Sequence, residues 1–295
     1  MNKEKIYILE DRGLLYISGS DAKEFLQNLI TNDIENVSET QSCFASLLSP
    51  QGKYLFDFII VKHKQGYFLD CEKKQIDSLF KQLSLYKLRS KIEITNLSNE
   101  FVVAVISYQK FLSLENAKDQ EGHTIKFRED TLTLDPRSKL LGARLIINLE
   151  KLYLSIKKLG LKSSDKSEYY LLSHKLGIPQ LETEKLQNKI FGIECNFDEL
   201  NGIDFKKGCY VGQENTARIK LKNKLSKRLL SLNILKGNLK NDDEIFFENE
   251  KCGKVLIDGT YPFGLIKFKN NTFNFSNKYK CGKAVIKINK PEWIN

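Results

Sequence analysis

Apolar positions along the first third of this chain alternate between the strand period of two and the helix period of 3.6. Lys5 to Glu10 and Leu14 to Ser18 read as strands flanking Asp11-Arg12-Gly13, a pattern that predicts a hairpin turn. Asp21 precedes a helix through Ile30, with Glu24 three residues on as an Asp-x-x-Glu start and Phe25, Leu26, Leu29 and Ile30 as its buried stripe. Cys43 to Leu48 and Tyr54 to Val61 are long apolar strands joined through Ser49-Pro50-Gln51-Gly52-Lys53, where Pro-x-Gly signals a turn. Tyr67 to Cys71 adds a short strand, and an amphipathic helix follows from about Glu72 to Leu88 with Ile76, Leu79, Phe80, Leu83 and Tyr86 on one face. Lys91 to Thr95 and Phe101 to Ile106 are strand-like, so this part predicts an α+β layer with helices over antiparallel strands.

The middle of the chain is less regular. Asp135-Pro136-Arg137 is a break, Leu145 to Asn148 is strand-like, and Asp165 to Leu176 reads as a helix stopped by Gly177 and Pro179. After residue 224 the helical period disappears. Short strands at 228–234, 244–247, 254–257, 263–268 and 283–288 alternate with Gly-, Asn- and Asp-rich turns, including an Asn-rich turn at 270–277, and predict an all-β barrel or sandwich.

Composition narrows the class. At 295 residues with 41% hydrophobic and 11% aromatic residues, the chain fits a globular protein of two or three domains. Its longest apolar run, Phe101 to Ile106, is far below the roughly 20 residues of a membrane span. Ile6 to Leu9 is cut short by Glu10-Asp11-Arg12, which argues against a secretory signal and predicts a cytoplasmic protein. The net charge of +10 invites a polyanionic partner, but only seven of the 47 basic residues are arginine and the lysines are scattered. Six cysteines at 43, 71, 195, 209, 252 and 281 form no Cys-x-x-Cys pair and share no ligand spacing with the three histidines, so no resident metal site is expected. Cys43, Cys71 and Cys195 sit in apolar company and read as core fillers.

Candidate chemistry concentrates in residues 206–218, KKGCYVGQENTAR. Gly208 and Gly212 bracket Cys209, Tyr210 and Val211, which predicts a tight, exposed bend. Lys206, Lys207 and a nearby helix start are a setting that lowers a thiol's pKa and raises its thiolate fraction. Cys209 is therefore the candidate reactive group, as nucleophile, transient iron ligand or redox-sensitive thiol.

This string resembles the Lys-Gly-Cys-Tyr-x-Gly-Gln-Glu signature of the YgfZ family, folate-binding proteins related to the aminomethyltransferase of glycine cleavage and linked to iron–sulfur cluster assembly. Leu48-Ser49-Pro50-Gln51-Gly52-Lys53 with Asp57, Leu85-Tyr86-Lys87-Leu88-Arg89, Asp135-Pro136-Arg137, Gly177-Ile178-Pro179 and Phe191-Gly192-Ile193-Glu194 fit the family in the same order, so the resemblance spans nearly the whole chain. It is strongest to the branch that includes the mitochondrial cluster-assembly factor.

The resemblance implies an α+β fold: a three-lobed aminomethyltransferase-like ring with two α+β lobes and a C-terminal β-barrel. The lobes fall at 1–40 with 137–222, at 41–136 and at 223–295, with tetrahydrofolate in the central opening. Glu194 lies where aminomethyltransferases bind the pterin ring, and a carboxylate there can accept two hydrogen bonds from the pterin's amino and ring N–H edge. Lys207 and Arg218 are candidate partners for the glutamate tail, Tyr210 for stacking on the ligand, and Gly208, Gln213 and Glu214 for shaping the loop. Two departures matter. Phe56-Asp57 stands where those enzymes have paired acids, and Cys209 stands where they have Asp, which argues against ordinary glycine cleavage.

The leading expectation is a tetrahydrofolate-binding accessory factor for assembly or repair of iron–sulfur clusters in client enzymes, including tRNA-modifying ones. Cluster carrier proteins are its expected further partners, tRNA is engaged indirectly if at all, and the chain is expected to be a monomer away from membranes. One alternative is a folate-dependent one-carbon transferase with Asp57 as acid or base. Another is a direct tRNA-binding protein.

Overall fold

The computed structural model describes residues 1–222, 225–268 and 273–294. Part of the predicted Asn-rich turn (270–272) and the expected start of the barrel lobe at 223 lie outside the described residues. The chain divides into two compact units, the first Met1–Leu48, Phe56–Tyr169 and Leu200–Val211, the second Ser49–Leu55, Tyr170–Glu199 and Gly212–Asn295.

Most of the first unit is built on two sheets. Its elements run β1 (Lys5–Leu9), β2 (Arg12–Ser18), α1 (Ala22–Leu29), β3 (Cys43–Leu48), β4 (Tyr54–His63), β5 (Gly66–Glu72), α2 (Ile76–Lys87), β6 (Glu93–Asn96), β7 (Phe101–Ile106), α3 (Tyr108–Leu112), β8 (Thr124–Phe127), β9 (Asp130–Leu134), β10 (Ala143–Asn148), α4 (Leu149–Leu159) and β11 (Lys162–Ser164). One sheet has the order β11-β1-β7-β10-β9-β8 and the other β3-β4-β5-β2-β6. The wholly apolar β7 takes a central place between β1 and β10, as a strand covered on both faces must. Leu159 of α4 belongs to the core of this sheet and Leu152 and Ile156 pack against it, so the helix covers one face.

The predicted hairpin at Asp11-Arg12-Gly13 does not form. β1 pairs with β7 and β11, whereas β2 pairs with β5 and β6 in the other sheet. Arg12, read from sequence as a turn residue, is a buried strand residue whose guanidinium holds Asp70 at 2.6 Å. The expected boundaries at 40/41 and 136/137 do not follow sheet membership either. β2 lies with the strands of 43–96, and β7 to β9 lie with β1 and β10. Asp21 does precede α1, but its side chain accepts from Ser20 and from the Lys91 amide instead of closing a capping box.

The second unit holds most of α5 (Lys166–Lys175), then α6 (Gln213–Leu221) and the strands β12 (Lys227–Lys236), β13 (Glu244–Phe247), β14 (Glu250–Ile257), β15 (Phe263–Lys267), β16 (Tyr279–Cys281) and β17 (Ala284–Ile288). As predicted, Gly177 stops α5, lying two residues past its end at a left-handed φ of +73°. The strands close into a barrel in the order β12-β15-β14-β13-β16-β17. Closure leaves no unpaired edge, and Leu230, Leu232, Val255, Ile266, Ile286 and Ile288 fill the interior. The expected fold class therefore holds: two α+β sheets and a C-terminal β-barrel.

Candidate functional site

In the first unit the site is a loop bolted onto the C-terminal end of α1. A helix leaves its last four carbonyls without intrahelical partners and carries partial negative charge there. Lys207 answers both needs: its Nζ donates to Gln27 O at 2.8 Å, Ile30 O at 2.7 Å and Asn32 O at 2.8 Å. Those three bonds use every proton of the ammonium. Burial pushes the Lys207 pKa down to about 8, and the Tyr210 ring centroid lies 5.1 Å from Nζ. Four more bonds fasten the same loop: Asp204 N to Thr31 O, Thr31 Oγ1 to Gly202 O, Asn32 Nδ2 to Asn201 O and Val211 N to Asn28 O.

This geometry corrects the expected role of Lys207. It is a structural pin only 7% exposed, with no proton left for a folate tail. Tyr210 is likewise buried and packs on the pin, so it serves the loop's core and not a stacking platform. Gly208 and Cys209 are exposed at the crest of the loop. A Cβ on Gly208 would meet nothing, so the protein's own packing does not demand a glycine there. Cys209 lies four residues before Gln213, the first residue of α6, and not at the helix start that the sequence suggested. A cleft of about 900 Å³ runs beside α1, lined among others by Phe25, Asn28, Leu29, Tyr86, Leu88 and Val211. Leu88, which the sequence marked only as the end of a helix within a family-like segment, is 88% exposed at φ +43°, a strained conformation for a branched residue.

Asp57 lies half-buried on β4, and its charge reaches the buried Arg12. Arg12 opens a network of buried ions that sequence reasoning missed. Asp70 accepts from Arg12 and from Arg144 at 2.6 Å each, and Arg144 donates to Asp135 at 2.9 Å and to the Tyr169 hydroxyl at 2.8 Å. Arg137 grips Asp135 through two nitrogens at 2.8 and 3.0 Å. Burial alone would raise the Asp135 pKa, but the Arg137 and Arg144 guanidiniums hold it well below the usual carboxylate range. The Asp-Pro-Arg break is thus half of a charge network, with its acid and arginine both turned inward.

In the second unit, the tip of the early hairpin packs against the segment carrying Glu194. Gly52 has φ +79°, and a Cβ there would stand 3.0 Å from the Gly212 carbonyl and 3.2 Å from Asn215 Cβ. Tyr54 N donates to Ile190 O at 2.9 Å, Asn215 Nδ2 donates to Gln51 O at 2.7 Å, and Lys53 Nζ lies 3.7 Å from the Phe191 ring centroid. Glu194 sits in a short 3-10 turn, Gly192–Cys195, where Oε2 accepts the Phe191 amide at 2.8 Å. Its Oε1 accepts no hydrogen bond from the described residues, and Oε2 keeps a second lone pair beyond the one that the Phe191 amide uses. On α6, Gln213 is half-buried, Glu214 is exposed, and exposed Arg218 donates to Asn215 Oδ1 at 2.6 Å. Gly212 caps this helix at φ +82°, the left-handed turn that its glycine predicted.

Asp57, Lys207, Gly208, Cys209 and Tyr210 thus belong to the first unit, and Glu194, Gln213, Glu214 and Arg218 to the second. Cys43, Cys71, Cys195 and Cys281 are buried, Cys252 is half-buried and Cys209 is exposed. Among the described residues no three His, Cys, Asp or Glu side chains gather as a metal site, and no helix is long and apolar enough to cross a membrane.

No family model matches the chain. Among curated proteins it is 32% identical over 236 residues to a Neurospora crassa protein, covering 75% of this chain and 52% of that one. It is 30% identical over 254 residues to a Dictyostelium discoideum protein, with 77% and 62% covered, and 29% identical over 241 residues to a human one, with 77% and 65% covered. All three are named iron–sulfur cluster assembly factor IBA57 or its homolog, mitochondrial. The chain is a homologue of iron–sulfur cluster assembly factors.

It spans about half to two-thirds of the length of these relatives. Among solved structures, aminomethyltransferase T of the glycine cleavage system from Bartonella henselae superposes with a TM-score of 0.74 over 98% of this chain and 86% of its own. At 12% identity that likeness shows the fold. The relatives' names overturn the cytoplasmic expectation, since each is mitochondrial. That expectation rested on an interrupted apolar run, which tests for secretion; organelle addresses are amphipathic and basic instead.

Proposed function

We propose that this protein is a tetrahydrofolate-binding accessory factor for the assembly or repair of iron–sulfur clusters in client enzymes, among them enzymes that modify tRNA. The observation that carries the reading is the likeness to named cluster assembly factors over three-quarters of the chain. The site supports it in three ways. Cys209 is the one exposed thiol among the described residues, held on a loop whose position Lys207 sets. A soft thiolate there can hold iron in passage, with the cluster as cargo. Glu194 Oε1 accepts no hydrogen bond from the described residues and is open to a pterin N–H. Asp57, coupled to a buried guanidinium, is better suited to structural charge balance than to acid–base catalysis, which favours the accessory role over a transferase.

Calorimetric titration with tetrahydrofolate, on wild type and Glu194→Gln, tests the ligand. Micromolar binding lost in the variant supports the assignment, and no binding by wild type removes folate from it. Restoring cluster-enzyme activity in a deletion strain tests the thiol. Wild type should restore activity and Cys209→Ser should not; full restoration by the serine variant would sink the role of Cys209.

A further inference from the structure

The barrel carries a second cleft, of about 1150 Å³, that the folate and thiol chemistry leaves unused. Its wall is aromatic. Phe273 stacks on Tyr279 with centroids 5.2 Å apart and planes at 17°, and lies 5.5 Å from Phe268 and 5.1 Å from Phe275. Phe268, Phe273 and Phe275 are only half-buried, so the cluster is an incompletely covered surface.

The cleft is also cationic. Lys227, Lys251, Lys267 and Lys290 line it, against the single acid Glu250. Lys251 pairs with Glu244, but Lys227, Lys267 and Lys290 form no ion pair among the described residues. Lys227 and Lys267 stand directly opposite each other in the β12/β15 ladder. Like charges in that position repel, and no acid among the described residues pairs with either. Residues 225–295 hold thirteen Lys and Arg against seven Asp and Glu, so a quarter of the chain carries six of its ten net positive charges.

We propose that this cleft binds single-stranded nucleic acid, with bases against the Phe268-Phe273-Phe275 wall and phosphates on Lys227, Lys267 and Lys290. Flat π surfaces beside spaced cations are what an unpaired strand needs: stacking for each base and charge along its backbone. An acidic peptide would satisfy the lysines and leave the aromatic wall without a role. The strand is recognised by its backbone and base faces, so sequence preference is weak.

The test is a fluorescence-anisotropy titration of the full chain with a labelled oligouridylate of about eight nucleotides. Three phosphate contacts predict a slope of log affinity on log salt of about −2, and Lys267→Gln should reduce it by about 0.7. Phe275→Leu keeps an apolar filler but removes a stacking face, and should weaken binding by about fivefold or more. In a Cys209→Ser background, bound oligomer should slow alkylation of Cys252, which lines the cleft. Four results would overturn the proposal. They are absence of binding by wild type, binding indifferent to Lys267→Gln, full affinity in Phe275→Leu, and competition by uridine monophosphate as effective as by the oligomer. The third reduces the cleft to a charge patch, and the fourth reassigns it to a free nucleotide.

Discussion

Lys207→Met removes the ammonium that ties residues 200–211 to α1 and leaves the carbonyls of Gln27, Ile30 and Asn32 without that donor. Hydrogen bonds from a charged donor contribute about 1.5–3 kcal/mol each, so the three together stabilise by roughly 5–9 kcal/mol before costs. Burying the charge offsets part of this. A pKa moved from 10.5 to about 8 corresponds to about 3 kcal/mol at roughly 1.4 kcal/mol per unit. The net expected loss is about 2–6 kcal/mol, read from urea unfolding by linear extrapolation.

Lys207→Arg should restore little of this, because a planar fork cannot aim at three converging carbonyls. With Cys252 replaced by serine, alkylation of Cys209 should accelerate in Lys207→Met as the loop loosens. The folded pKa lies below the unfolded one, so between pH 8 and 10.5 the unfolded chain binds more protons. Wild type should therefore gain stability relative to Lys207→Met as pH rises through that window, with no change in the difference below it. A loss under about 1 kcal/mol with unchanged alkylation would refute the pin.

Other outcomes follow from the same contacts. Burial, with Lys64 and Lys126 nearby, pushes the His63 pKa from 6.5 down to about 4, and its Nδ1 finds no hydrogen-bond partner among the described residues. The unfolded chain then binds the extra proton between those values, so stability should fall as pH drops from 6.5 to 4, and His63→Phe should flatten that slope. Asp70→Asn leaves two buried guanidiniums short of their counter-charge; it should cost about 3–5 kcal/mol in chemical denaturation. Gly52→Val places a branched side chain at φ +79° against the Gly212 carbonyl; a loss of about 1–3 kcal/mol is expected, measured by thermal melting.

Local pattern determined much of this protein. The apolar stripe of α1, the end of α5 at Gly177 and five of the six barrel strands were legible because periodicity reports which face of an element is buried. The exposed thiol was legible in its flanking glycines, and the resemblance carried by residues 206–214 anticipated both the fold and the assembly-factor relatives. β8, β9 and α4 were not marked. Asp130 to Leu134 alternates acid, hydroxyl and apolar residues yet is buried throughout, while α4 buries only Ser155 and Leu159.

Tertiary structure alone decided what each buried face packs against. β1 and β2 separate into different sheets although two residues join them: β2 is laddered to β5 and β6, and Arg12 at its start pairs with Asp70, 58 residues away in sequence. Lys207 looked like a ligand's cation and proved to be a helix cap 175 to 180 residues from its acceptors. A charged side chain's role depends on which opposite partner the fold brings within about 3 Å, and such partners are set by non-local packing that no local period encodes.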